Sequence, residues 1–338
     1  MPVLQGIPKL TFATGERFTP MGVLKAVGLH RKEEVTYALL MGVSGAAFRT
    51  AWSPDWALDM AEFAPEDLVR NGAEWLGLTA EPRLNDSLED AWTRVRKSID
   101  ARVPVLSCGL AGAPEFCVIA GYEESPKRFH VRGYFERTEG EGYAVVEVKA
   151  WQGWNHLGFG RNPMVLLRES PPPDRGTLMR RALSRALHFA KVGKITTRGR
   201  THVVGHAAYD AWRESLQNLD ASGDLGLKAW AMAANVSAIA DARRAAGEFL
   251  RMMGAMKPEW ARALNRAAEH CFHHVAVLAQ AQPIIDFPLE APAVAAEKAA
   301  ANLADPAKRA LLAKFLWSAK QEDEEAFGWI DVALHGLE

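Results

Sequence analysis

Cys108 closes the apolar run PVLSC ahead of a Gly-rich turn, and its thiol is the first group in the chain suited to nucleophilic attack. A thiolate at a strand end attacks a carbonyl only with a base beside it, and no histidine lies close in sequence. Cys117 alternates with Val118 and Ile119 and belongs in a core, where a free thiol packs as a small hydrophobe. AEHCFHHV offers a different chemistry. His270 and His274 stand at i, i+4, the spacing that puts two imidazoles on one helix face for a metal, with Glu269 and His273 beside them. The metalloprotease pattern needs a glutamate directly after the first histidine, and this chain has Cys271 there. His202 and His206 repeat the spacing across an expected loop-to-helix boundary. With no third ligand evident, the expectation is hydrogen-bonded histidines and no metal. WQGWNHLGFGRNP gathers Trp151, Trp154, His156 and Arg161 among glycines. Such a loop serves equally to stack a sugar or base and to cover a sheet. In LLMGVSGAAFRTAWSPDW the small residues Ser44, Gly45 and Ala46 permit close approach by a backbone or a ligand. The same string, with Arg49, Trp52 and Trp56 following, also reads as a helix end before two core tryptophans.

The elements that must position these groups change character along the chain. TPMGVLKAVGLH reads as a helix with Thr19 as N-cap and Pro20 at its first position. KEEVTYALLMGVSGAAFRTAW reads as a second helix breaking into a Gly/Ser turn, and PEDLVRNGAEWLGL and SLEDAWTRVRKSIDAR follow as helices with apolar residues three to four apart. Then come PVLS, EFCVIAGYE, RFHVRGYF, YAVVEVKAW and MVLLRE, rich in β-branched and aromatic residues and punctuated by Gly, Pro and Ser. Helices followed by strands predict an α+β domain with an antiparallel sheet. ESPPPDRG breaks the pattern, because three consecutive prolines continue neither a helix nor a strand. Beyond it, Ala-rich segments with Leu, Trp and Phe at i, i+4 predict an all-α helical bundle. The expected domains are residues 1–170 and 175–338.

The first of these domains resembles a bacterial family in which a papain-like domain is joined to a helical C-terminal domain, the family of the butirosin biosynthesis acyltransferase. It is similar at greater distance to the double-glycine leader peptidases. The residues that carry the resemblance are ERFTPMGVLKAV, LLMGVSGAAFRTAW, SIDARVPVLSCG, and EFCVIAGYEE with HVRGYF, across roughly residues 7 to 168. Active relatives place a cysteine at the N-terminus of the first helix, where unpaired N–H groups and the helix dipole stabilise a thiolate. A sheet histidine exchanges the proton and an Asn or Asp orients it. The resemblance puts Thr19 at the cysteine position, Glu115 at the histidine position, and Arg132 or Gly133 at the orienting position. It also makes Ser44, Arg49, Trp52, Cys108 and Arg132 expected walls of the cleft. Thr19 and Glu115 can act as nucleophile and base only if burial raises the Glu115 pKa. Otherwise they line a vestigial cleft that binds a small anionic, acyl or peptidyl ligand without thiol catalysis. An active acyltransferase or amide hydrolase is the alternative.

Bulk properties narrow the classes further. The chain has 338 residues, 49% hydrophobic and 24% charged, with a net charge of −1. No global field draws it to nucleic acid or an anionic membrane. No apolar run approaches the roughly 20 residues that span a bilayer. MPVLQGIPKL lacks the marks of a signal peptide. Three cysteines without a CxxC pair argue against a disulfide framework. The expectation is a cytoplasmic protein with no cofactor and no disulfide, whose partners are a small-molecule or acyl/peptidyl ligand and, through the helical half, a second copy of itself.

Overall fold

The computed structural model describes residues 2–12, 15–57, 65–110, 115–136, 142–151, 163–171, 174–197, 200–220, 223–285 and 292–336. In chain order the elements are α1 (Thr19–His30), α2 (Tyr37–Ser44), β1 (Ala51–Trp52), α3 (Pro65–Trp75), β2 (Leu78–Arg83), α4 (Leu88–Asp100) and β3 (Val105–Cys108). Strands β4 (Phe116–Glu124), β5 (Lys127–Gly133), β6 (Ala144–Glu147) and β7 (Met164–Glu169) follow. The chain continues through α5 (Arg175–Lys191), β8 (Lys194–Thr197), β9 (Arg200–Val204), α6 (His206–Gln217), α7 (Leu225–Met256), α8 (Ala261–Ala279), α9 (Pro292–Ala304) and α10 (Pro306–His335). The fold class is α+β with two antiparallel sheets. Among the described residues, no helix is long and apolar enough to cross a membrane.

The chain divides into two compact units, Met1–Ser44 with Pro65–Leu178, and Gly45–Ala64 with Met179–Glu338. This differs from a cut at the prolines. An early segment joins the late half, and the later boundary falls inside α5, because contacts rather than composition define the units.

The first unit holds a six-stranded sheet in the order β2-β7-β3-β4-β5-β6. β3 and the first seven residues of β4 are buried, which is why VLSC and FCVIAGY read as continuous apolar runs rather than alternating ones. At Gly121 the register of β4 against β5 shifts by a bulge. There the N-terminal segment joins the strand, with Leu4 N–H donating to the Ala120 carbonyl at 2.8 Å and Tyr122 N–H to the Pro2 carbonyl at 3.2 Å. A Cβ at position 121 would lie 2.7 Å from the Pro2 oxygen, so only glycine allows this approach. α4 shows how local sequence sets an element. Ser87 caps it by accepting the Asp90 N–H, Glu89 and Asp90 sit in its first turn, and Ala91, Trp92, Val95 and Ile99 form its buried stripe. Trp92 lies 5.5 Å from the Tyr122 and Phe129 rings of the sheet. α1 is buried along most of its length and packs on α2, α3 and β4, as a helix apolar all round must.

The second unit is mainly helical, with α8 packed against both α7 and α10. It is not all-helical as expected. β1, β9 and β8 form a small antiparallel sheet in that order, with Ala51 opposite Val204 and Lys194 opposite Val203. KITT and RTHVV carry β-branched residues on either side of a glycine and pair as a hairpin. β1, contributed by the early segment, completes its edge. Trp52 of β1 stacks on Trp212 of α6 with centroids 4.5 Å apart and planes 10° apart, and donates from Nε1 to Ser215 Oγ at 2.9 Å. The early segment is fixed again at Arg243, buried in α7. Its guanidinium forks onto Asp323 of α10 (Nε to Oδ1 and Nη2 to Oδ2, both 2.6 Å), and it also donates to the Ala47 carbonyl and to Thr50 Oγ1.

Candidate functional site

The residues placed at the nucleophile and base positions meet. Thr19 Oγ1 donates to Glu115 Oε2 at 2.7 Å and accepts the Phe116 N–H at 3.3 Å. The contact arises from two terminations, the start of α1 and the residue entering β4. Thr19 was expected to cap α1, but Phe18 holds the cap position without a side-chain cap bond, and Thr19 is the first helical residue. Its hydroxyl is directed across to the sheet instead of back along its own helix. Thr19 is 3% exposed, whereas Glu115 is half-buried. Burial raises the Glu115 pKa above the ordinary glutamate value, while the hydrogen bond from Thr19 pulls it down.

The first turn of α1 offers little to an anion. Pro20 has no N–H, Met21 and Gly22 both donate to the Phe18 carbonyl (3.0 and 3.3 Å), and Phe18 N–H is taken by the Tyr37 hydroxyl at 2.9 Å. Tyr134 covers this turn. A Cβ on Gly22 would fall 1.7 Å from its hydroxyl oxygen, and its ring stacks on Phe12 with centroids 4.5 Å apart.

Arg132 was expected to face a ligand, and its hydrogen bonds are spent within the fold. It is 1% exposed, and Nε donates to the Ile7 carbonyl at 3.1 Å. Nη1 donates to Glu136 Oε1 at 2.6 Å and to the Gly142 carbonyl at 2.7 Å. The guanidinium carbon lies 4.2 Å from the Tyr143 ring centroid. Tyr143 in turn donates to the Leu4 carbonyl and accepts the Ile7 N–H. Arg132 therefore ties the N-terminal segment to the β5–β6 connection, and Gly133 sits opposite Cys117.

Cys108 is buried at the end of β3, opposite Phe116. Burial drives its pKa far upward, and Cys117 and Glu115 push it in the same direction. Its thiol is therefore protonated and unreactive at neutral pH. Cys117 is pushed up by burial to about 12 and Cys271 likewise. Ser44 ends α2, donating to the Met41 carbonyl at 3.1 Å and accepting from Asn71 Nδ2 at 3.2 Å. Arg49 and Trp52 were grouped with these residues but belong to the second unit. There Arg49 is buried, which lowers its pKa to about 9, and Trp52 is a packing residue. Trp151 is buried, edge-on to Phe129 at 5.6 Å, whereas Trp154, His156 and Arg161 lie outside the described residues.

His270 and His274, expected to share one face, diverge in environment. His274 is fully buried, bonded through Nε2 to the Tyr209 hydroxyl at 2.7 Å, and burial lowers its pKa to about 4. Tyr209 also donates to Asp323 Oδ2 at 2.8 Å. Burial opposes the charge on Asp323, but Arg243 and the surrounding donors hold its pKa down at about 2. Of this cluster the sequence pointed only to His274, because QEDEEAF looks like a solvated acidic run. The one available signal for Asp323 was its place on a helix face otherwise carrying Leu316, Ala319, Ala326 and Ile330.

No protein-family model matches the sequence, and no curated protein matches it.

Proposed function

We propose that the first unit is a papain-like domain retired from thiol catalysis, which binds a small acyl or peptidyl group beside Thr19 and Glu115. One observation carries the reading: the hydroxyl at the nucleophile position is engaged on both sides, as donor to Glu115 and acceptor from Phe116. Supporting it, the N-terminus of a buried helix meets the start of the central strand β4, as the papain-like arrangement requires. The nearby thiols are buried and protonated. With Arg132 paired to Glu136 and the Phe18, Met21 and Gly22 amides occupied, a neutral ligand suits the place better than an anion. Glu115, whose charge burial disfavours, is the group that would hydrogen-bond an acyl or peptidyl carbonyl.

A second reading has one observation in its favour. A hydroxyl 2.7 Å from a carboxylate of raised pKa is the geometry of a nucleophile and its general base. The test compares wild type, Thr19→Ala and Glu115→Gln on peptide and thioester substrates, alongside thermal shift of these and Glu115→Ala with non-hydrolysable acyl and peptidyl compounds. The binding reading expects no turnover above background, and a melting-temperature rise in wild type that Glu115→Gln, whose amide also donates, retains and that Glu115→Ala loses. Turnover in wild type that Thr19→Ala and Glu115→Gln both abolish overturns it and establishes the hydrolase or acyltransferase.

A further inference from the structure

His270 and His273 project from α8 toward Glu322 of α10, and the three potential ligand atoms lie within 4.8 Å of one another. His270 Nδ1 is 2.8 Å from Glu322 Oε2, and His273 Nδ1 is 3.7 Å from the same oxygen. An ion pair accounts for one imidazole on the carboxylate. A carboxylate oxygen can accept a second N–H, but at 3.7 Å His273 makes no hydrogen bond to it, and a shared cation accounts for both approaches. A tetrahedral zinc ion holds N and O ligands at about 2.0–2.2 Å, hence about 3.3–3.5 Å from each other, within a small rotamer adjustment of this triangle.

The backbone beneath the triangle is already held. The next residue on each helix, His274 and Asp323, belongs to the buried cluster with Tyr209 and Arg243. That cluster fixes the register of α8 against α10, so the outward-facing neighbours His273 and Glu322 are presented at a set separation. His270 and Glu322 are half-buried and His273 is exposed, which leaves an entry path.

We propose that His270, His273 and Glu322 form a site for one divalent transition-metal ion, Zn²⁺ or its neighbours Co²⁺, Ni²⁺ and Cu²⁺, which clamps α8 to α10. Two imidazoles select these ions over Mg²⁺ and Ca²⁺, which take oxygen ligands. Three protein ligands leave at least one position for water or an added ligand. The pairing of His270 with His273, not His274, places the site on the i, i+3 face.

The experiment uses full-length protein without a polyhistidine tag, stripped with chelator and titrated with Zn²⁺ by calorimetry and with Co²⁺ by visible absorption. All three cysteines are buried, so thiols provide no rival site. The expected result is one equivalent bound, with imidazole-type Co²⁺ bands and a zinc-dependent rise in melting temperature. His273→Ala and Glu322→Gln should each weaken binding at least tenfold, and His270→Ala/His273→Ala should abolish both the bands and the thermal shift. His30→Ala, in the other unit, should bind as wild type does. All three substituted side chains reach solvent, and circular dichroism matching wild type confirms folding. Absence of saturable binding below about 100 µM Zn²⁺, or binding unchanged in the double variant, overturns the proposal.

Discussion

Thr19 and Glu115 share a 2.7 Å hydrogen bond in the first unit, and its electrostatics give a pH signature. Burial raises the Glu115 pKa, so the folded chain holds that proton more tightly than the unfolded chain. The associated stability is full below the ordinary glutamate pKa and is lost as pH rises through the higher folded value. Glu115→Gln stays neutral and keeps an oxygen to accept from Thr19. Its stability relative to wild type should therefore increase from pH 4 to pH 8, measured as urea midpoints for the first unit's transition. A difference that is flat or falls with pH would show that the carboxyl is not held in its raised state. Thr19→Val removes the hydroxyl while keeping the shape, leaving Glu115 and the Phe116 N–H without their partner. That should lower stability by about 1–3 kcal/mol in the same measurement. TPMGVL and EFCVIAG were expected to bring these two positions to one place, and the two side chains share a hydrogen bond. The fate of Arg132 was not legible in the sequence, because nothing local says that Ile7, Glu136 and Gly142 converge on one guanidinium.

Elements were legible where period and composition agreed. The four strands β3, β4, β5 and β7 follow from their β-branched and aromatic runs, and α4 from its cap and stripe. The β8–β9 hairpin falls where the sequence predicts a loop ahead of the His206 helix, because KITT and RTHVV are short and TTRGR reads as a basic run. The start of α1 was read one residue late for a physical reason: its threonine bonds to another element, so its cap chemistry is absent. How tightly α1 is held can be measured at Gly22. An alanine there drives its Cβ into Tyr134, whose ring is braced by Phe12. Gly22→Ala should destabilise the first unit by about 1–3 kcal/mol, the usual range for overpacking, despite alanine's better helix propensity. Tyr134→Phe deletes the oxygen that clashes, so the double variant should recover part of the loss. A Gly22→Ala chain as stable as wild type would show that Tyr134 does not cover the helix.

Across the whole molecule, the proline-rich break is visible in the sequence, but the return of Gly45–Ala64 to the later half is not. That path is set by partners roughly 150 to 280 residues distant in sequence. Phe48 meets Phe249 and Phe327 edge-on at 6.2 and 6.0 Å, Trp52 stacks on Trp212, and Arg243 bonds the Ala47 carbonyl. Removing one side of the buried Arg243–Asp323 pair leaves the other charge unpaired and 1% exposed. Asp323→Asn or Arg243→Met should therefore cost about 3–5 kcal/mol, seen in the second unit's thermal transition. The segment's allegiance also decides how the first unit behaves alone. A fragment of residues 1–178 retains Phe48 and Trp52 but lacks every aromatic partner named above, exposing side chains that are at most 1% accessible in the full chain. It should bind hydrophobic dye and self-associate in gel filtration. Replacing residues 45–64 of that fragment by a flexible Gly/Ser linker removes the orphaned surface. The junction is favourable, because the Ser44 carbonyl is already bonded to Asn71 of α3 at 3.2 Å. The linked fragment should be monomeric, silent to the dye and cooperative in unfolding. If the unmodified fragment is itself monomeric and dye-silent, the early segment is held by the first unit, and the division at Ser44 fails.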